Sequence, residues 1–335
     1  RANLARVSER DGLLWIDDRP DPRVGEAPYL AEADLDVTID GVRFRFTHTG
    51  ALQGLLYLSA TDGRALSHFV SDADPLHADS HVLEVLPLEE APDAGAAART
   101  ARALNAWIRR SREVLAGEPL DAMLVKWAGT PISVTPFAQR FGLRGVSLGS
   151  GPLYAGLAAA VGLDHRDFGT ATDPAADVIV RVEATLALIT EGYDFVHLHT
   201  KRPDMAGHKK NPARKAEVIE GIDRALAPLV PLVERGEIVV AVCPDHQTPS
   251  AGPLYHGGGA VPLLIAGGVA GADSVTAYGE TACAAGALGT LRGTDVLPLA
   301  LDAADRSAFL ADRMTGHRAL GIPRAEDVRP LAAQE

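Results

Sequence analysis

Five Asp and His residues follow directly on two apolar, strand-like runs, and their types suit a metal centre. Phe195 to Thr200 runs into Lys201-Arg202-Pro203-Asp204-Met205-Ala206-Gly207-His208. Ile238 to Cys243 runs into Pro244-Asp245-His246-Gln247-Thr248-Pro249, and His256 follows. Carboxylate oxygen mixed with imidazole nitrogen suits Mn²⁺, Zn²⁺ or Fe²⁺ better than Ca²⁺ or Mg²⁺. Asp204 and His208 are spaced so that one helical turn puts both on one side. Asp245 and His246 are adjacent, so each is expected to face a different metal. Taken singly, such residues more often cap a helix or sit on the surface. Five together, at the ends of two strands, favour the metal centre. His197 and His199 alternate with apolar neighbours inside a strand, and at least one is expected to pack there or to orient a ligand.

The elements that must hold these residues come in two styles. Up to about residue 120 the chain reads as β-rich with one helix. Leu35 to Ile39 and Val42 to His48 flank Asp40-Gly41, a short-range hairpin signal. Leu55 to Ser59 and His81 to Leu86 read as further strands, and Pro92 to Leu115 as a helix with Leu104, Ile108 and Leu115 on one face. Asp11-Gly12 reads as a turn between strands. From about residue 121, strand candidates alternate with helices: Ala122 to Trp127, Val146 to Leu148, Phe195 to Thr200, Ile238 to Cys243 and Val261 to Ala266, with Val178 to Thr190 and Pro212 to Val233 helical. That order predicts a largely parallel α/β sheet covered on both faces, whose chemistry gathers beyond the carboxyl ends of the strands.

Composition narrows the partners. The 335 residues are 47% hydrophobic and 23% charged, an ordinary globular balance. A net charge of −12 makes nucleic acid and anionic membrane poor partners. The longest uncharged run, Gly145 to Leu163, carries five glycines and a proline and reads as strand, turn and buried helix, not as a membrane span. Two cysteines cannot make a disulfide framework. With no signal peptide visible, a cytoplasmic location is expected.

The stretch Tyr193 to His208 resembles the cofactor-independent phosphoglycerate mutases of the shorter, archaeal-type class, members of the alkaline phosphatase superfamily. Asp245 to Pro249 with His256, Glu280 to Gly289, Arg1 to Val7, Ser71 to Pro75 and Arg99 to Ala101 carry the same resemblance. It implies an alkaline-phosphatase-like, mostly parallel α/β sheet with helices on both faces (residues 121–335) and an inserted α+β substrate-lid domain (residues 1–120). It also implies two divalent metal ions, Mn²⁺ or Zn²⁺. Asp204, His208 and His256 would hold one; Asp245 and His246 would help to hold the other. The reaction implied converts 3-phosphoglycerate to 2-phosphoglycerate through a phosphoenzyme, as in glycolysis. Arg140 matches a basic position near the substrate phosphoryl group, and Lys201, Asp74, Arg1 and Asn3 are further substrate-site candidates.

Two departures stand out. The family's first metal-binding strand and its Ser or Thr nucleophile match positions upstream of Arg1, so the chain is expected to be an incomplete piece of a heavier protein. Ser71 and Ser147 are read as structural. Lys209-Lys210 follows His208 directly, and with Lys201, Arg214 and Lys215 it forms a basic patch, read evenly as a solvated helix start or as an attractor for a phosphorylated or phosphonate carboxylate. Alternatives to the mutase are an enzyme acting on a phosphonate analogue in phosphonate biosynthesis, a metal-dependent phosphatase, and a non-catalytic binding homologue. The oligomeric state is left open.

Overall fold

The computed structural model describes residues 1–22, 25–169, 173–307 and 329–332. The chain divides into two compact units, Arg1–Ile132 and Ser133–Glu335. In the first, β1 (Ala2–Arg10), β2 (Leu13–Asp18), β3 (Val37–Ile39), β4 (Val42–Gly50), β5 (Gln53–Ala60), β6 (Ser80–His81) and β7 (Ala122–Val125) form one antiparallel sheet, with α1 (Ala94–Val114) as its long helix. The order is β3-β4-β5-β1-β2-β6, and β7 also pairs with β1. Asp40 and Gly41 both take positive φ, 50° and 73°, as the two-residue β3–β4 turn requires. Asp11 and Gly12 do the same between β1 and β2.

Burial follows the pleat. Val42 and Phe44 on β4 are fully buried while Arg43 and Arg45 face out. Asp93 caps α1 by accepting from the Ala96 N–H. Trp107 of α1 is fully buried over this sheet, its ring 6.1 Å from Phe44 and its indole N–H donating to the Leu35 carbonyl at 3.0 Å. Of the run His81 to Leu86 only His81 is strand, as the second residue of β6. Beyond it the backbone bonds to scattered partners instead of a ladder: Leu83 N–H to the Ala73 carbonyl and Leu86 N–H to the Ser71 hydroxyl.

The second unit contains α2 (Phe137–Phe141), β8 (Gly145–Gly149), α3 (Pro152–Val161), β9 (Asp164–Asp167), α4 (Pro174–Thr190), β10 (Phe195–Leu198), α5 (Arg202–His208), α6 (Pro212–Leu226), α7 (Val230–Glu234), β11 (Val240–Val242), β12 (Leu264–Ala266), α8 (Glu280–Cys283) and α9 (Gly293–Ala303). Here β10-β8-β9 is parallel, and β11 pairs with β12 antiparallel. Val146 and Leu148 of β8 are fully buried, and Val178 and Val182 of α4 pack against Ala225 and Leu229.

The fold is therefore α/β, but the expectation of a mostly parallel sheet needs correction. Among the described residues of the second unit, where the parallel sheet is expected, it has three strands; the larger antiparallel sheet lies in the first unit, which the sequence reads as β-rich with a hairpin. Two pairings explain this. The run expected to open the second domain, β7, is taken up by β1, which carries the first unit to Ile132 rather than to residue 120. β12 turns back on β11 instead of joining the parallel set. The helix expected over Pro212 to Val233 breaks at a 3₁₀ turn, Ala227–Leu229, where Pro228 and then Pro231 remove helical N–H donors. Among the described residues no helix is long and apolar enough to cross a membrane.

Candidate metal centre

Beyond β10 the chain passes through His199, Thr200 and Lys201 into α5, where Asp204 and His208 stand one helical turn apart on one side. His208 Nε2 lies 3.1 Å from Asp204 Oδ1. Beyond β11 come Asp245 and His246. An isolated bridge between Gln247 and Gly257, with the Gly257 N–H on the Gln247 carbonyl at 3.0 Å, folds the chain so that His256 returns beside His246. Their ring centroids are 4.1 Å apart. The approach is close: a Cβ at residue 257 would lie 2.6 Å from Gln247 Oε1, and the Gln247 side chain would have to move. Gly207 is approached as closely on α5, where a Cβ would stand 2.7 Å from the Thr248 carbonyl oxygen.

The side chains converge. His256 Nε2 lies 3.4 Å from Asp204 Oδ1 and 3.3 Å from His208 Nε2. One ligand atom from each of Asp204, His246 and His256 lies within 4.8 Å of the others. The Thr248 hydroxyl, buried, donates to Asp204 Oδ1 at 2.8 Å. His246 Nδ1 faces the Gln247 carbonyl and the Thr248 hydroxyl oxygen, both at 3.3 Å. A carbonyl can only accept, so Nδ1 carries the proton and Nε2 keeps its lone pair for a ligand. Burial pushes the Asp204 carboxyl upward, but the Thr248 hydrogen bond, His208, Lys201 and His256 together hold it below its ordinary value. An ionised carboxylate among imidazole nitrogens is a donor set that fits a divalent transition metal.

Three further residues have roles that the sequence left unassigned or read differently. Lys215 Nζ donates to the Thr248 carbonyl at 2.7 Å, and Lys210 Nζ donates to the carbonyls of Pro249 and Leu254. Arg214 pairs with Glu217 at 2.7 Å. The loop after β11 has few strand partners for its carbonyls, so lysines from the α5–α6 corner satisfy them. Two of the five basic residues, Lys210 and Lys215, thus clamp the loop after β11, a role neither reading gave them, while Lys201, Lys209 and Arg214 are exposed. Lys201 stays exposed at the start of α5, its Nζ 6.0 Å from the Tyr154 ring centroid.

His199 is half-buried and packed, as expected of at least one of the two, whereas His197 is exposed at its place in β10. His197 Nδ1 lies 3.0 Å from the Ser147 hydroxyl. The Tyr154 hydroxyl lies 2.8 Å from His199 Nε2, and the two rings stack at 3.9 Å. Burial, then repulsion from His197, pushes His199 down to about 4 against the pull of Asp245. Burial and the nearby Asp245 and Asp204 raise Tyr154 to about 12. The sign for stability follows. Between pH 6.5 and about 4 the unfolded chain takes up a proton that folded His199 refuses, so stability falls as pH drops through that window. Urea midpoints measured from pH 7 to pH 4 should show this loss, and His199→Gln should flatten it.

Asp245 is exposed, with Oδ2 3.6 Å from His246 Nε2. Arg140 is exposed on α2, its guanidinium 5.2 Å over the Phe141 ring. Asp74, Asn3 and Arg1 come together within the first unit. Buried Asp74 accepts from Arg19 at 2.6 and 2.7 Å, from Asn3 Nδ2 at 3.3 Å and from the Leu76 N–H at 2.9 Å, with Lys126 Nζ at 3.3 Å. Arg1 Nε donates to Asn3 Oδ1 at 3.2 Å, and the Arg1 guanidinium lies 5.1 Å over Trp127. Trp127 takes a positive φ of 56°, with its N–H on Asp72 Oδ1 at 2.7 Å. Arg19, Lys126 and Trp127 are members of this cluster that the sequence did not single out. The only hint was Lys126-Trp127 standing at the end of a strand.

Comparison with known proteins agrees with this chemistry. The metalloenzyme superfamily model matches residues 48–303. The 2,3-bisphosphoglycerate-independent phosphoglycerate mutase 2 of Methanocaldococcus jannaschii is 31% identical over a 346-residue alignment covering 98% of this chain and 77% of that protein. The corresponding mutase of Methanoculleus marisnigri is 33% identical, over 92% of this chain and 75% of that protein. The solved cofactor-independent phosphoglycerate mutase of Thermoplasma acidophilum shares the fold at a TM-score of 0.51 and 24% identity, covering 90% of this chain and 76% of that one. The chain belongs to the 2,3-bisphosphoglycerate-independent phosphoglycerate mutase family, within the metalloenzyme superfamily.

Proposed function

We propose that this chain carries the phosphoryl-transfer site of a metal-dependent mutase that interconverts 3- and 2-phosphoglycerate in the cytoplasm. The observation that carries the reading is the convergence of Asp204, His246 and His256 to within 4.8 Å, with His208 Nε2 3.3 Å from His256 Nε2. Two divalent ions, Mn²⁺ or Zn²⁺, are the expected complement. Asp204, His208 and His256 would hold one, and Asp245 and His246 the other. When bound, such ions neutralise charge on a transferring phosphoryl group and lower the pKa of an attacking hydroxyl. Thr248 keeps Asp204 and the His246 tautomer in place, and the lysine clamp keeps Thr248 in place.

The unit Arg1–Ile132 is read as the substrate-lid domain. Asp74 is saturated by its own partners, so it serves the substrate indirectly. It holds Arg19 and Lys126, whose remaining N–H groups, with Arg1 and Asn3, suit a carboxylate or phosphate. Lys201 and Arg140 are the proposed contacts to the phosphoryl group. The test is an enolase-coupled assay of 3-phosphoglycerate on the native protein expressed in its own host. Turnover that EDTA abolishes and Mn²⁺ restores is the expected result. Release of inorganic phosphate would make it a phosphatase. No turnover despite bound Mn²⁺ would remove phosphoglycerate as the substrate.

A further inference from the structure

We infer that the buried Asp177–Arg181 pair, acting through the Thr200 hydroxyl, sets the β10–α5 corner and so positions Asp204 and His208. This rests on the metal reading above. The pair sits at the carboxyl ends of all three parallel strands, with Arg181 and Asp177 side chains 1% and 4% exposed. The Arg181 guanidinium donates to Asp177 Oδ1 at 3.0 Å, to the Ser150 hydroxyl just past β8 at 2.6 Å, and to the Gly169 carbonyl just past β9 at 3.3 Å. Its other arm reaches the Leu148 carbonyl at 3.4 Å. Asp177 Oδ2 accepts from Arg181 Nε at 3.4 Å and from the Thr200 hydroxyl at 2.8 Å. Thr200 Oγ1 in turn accepts the N–H of Arg202, the first residue of α5, at 3.3 Å. Arg202 Nε lies 3.9 Å from the same Asp177 oxygen.

The Thr200 bond is not needed to hold the sheet. The β10–β8 ladder spans Phe195 to Leu198, and its last rung, the His199 N–H on the Leu148 carbonyl at 3.0 Å, lies one residue before Thr200. The hydroxyl therefore acts beyond the ladder, on the peptide that turns into α5. A buried ion pair adds little net stability over an apolar replacement, and its best-attested use is to select one arrangement among several. Here the arrangement selected is the direction in which α5 leaves the sheet, and α5 is the element that carries two of the proposed ligands. Asp177, Arg181 and Thr200 are positioning residues in this scheme; none of them is proposed to touch a metal or the substrate.

The test compares Thr200→Val with Thr200→Ser on the native protein, reading Mn²⁺ affinity by titration calorimetry beside the thermal transition. The valine variant is expected to bind Mn²⁺ about tenfold more weakly with an unchanged transition, and the serine variant, which keeps the hydroxyl, to bind as the parent does. Thr200→Ala replaces valine in the comparison if the second methyl disturbs packing. Affinity within about twofold of the parent in the hydroxyl-free variant, or a serine variant as weak as valine, would overturn the proposal. Asp204→Asn is the control: if it also binds Mn²⁺ normally, the metal reading itself is wrong, whereas loss there with no effect at Thr200 defeats only the positioning role.

Discussion

Replacing Asp204 by Asn is expected to remove metal-dependent turnover by about 10³-fold or more while leaving the fold intact. Asp204 Oδ1 is where three partners meet: the Thr248 hydroxyl at 2.8 Å, His208 Nε2 at 3.1 Å and His256 Nε2 at 3.4 Å. The substitution keeps the shape and removes the charge. The carboxylamide is a poor ligand, and half of it is a donor facing imidazole nitrogens. A metal centre supplies several kcal/mol of charge stabilisation in the transition state, and about 1.4 kcal/mol is a factor of ten in rate, which sets the size of the loss. The fold should survive because α5 is seven residues long and Asp204 belongs to none of the four apolar clusters described. Calorimetric titration with Mn²⁺, the mutase rate and circular dichroism on the same sample check the three parts. A variant that still binds Mn²⁺ and turns over would refute the assignment.

The Asp and His cluster was legible because its pattern is local: Asp204, then His208 one turn later, then Asp245-His246 after the next strand. What organises it was not. Thr248 gains its role only once the Gln247–Gly257 bridge brings His256 back and Gly207 lets α5 sit against the loop. Lys215 and Lys210 looked like free charge beside a metal site because the carbonyls they satisfy belong to a loop more than thirty residues away. β7 shows the same limit in the fold. Four consecutive buried residues read as an interior parallel strand, yet nothing within Ala122–Val125 names its neighbour, and β1 takes it. β9 was invisible for the opposite reason. Asp-His-Arg-Asp has no apolar period, and it enters the parallel sheet through backbone pairing with β8.

The second large effect is expected at Asp74. Its side chain is fully buried, and it is the shared partner of Arg19 and Lys126, themselves 12% and 4% exposed. Burial alone would raise this carboxyl, yet Arg19, the Leu76 N–H and Lys126 bring it below its ordinary value, so it is ionised at neutral pH. Asp74→Ala leaves two cations facing each other with no counter-charge and strands the Asn3 amide. Removing one partner of a buried pair costs about 3–5 kcal/mol. Urea unfolding followed by tryptophan fluorescence should report that loss, with Trp127 stacked beside both Arg1 and Lys126 as the local reporter. Asp74→Asn keeps an acceptor for Arg19 and should cost less, and it separates stability from binding. If Asp74 serves the substrate only by holding Arg19 and Lys126, the Asn variant should raise KM with kcat nearly unchanged. An equal fall in kcat would mean that the carboxylate itself meets the reacting group, and a cost below about 1 kcal/mol for Asp74→Ala would mean that water screens the cluster as it does a surface pair.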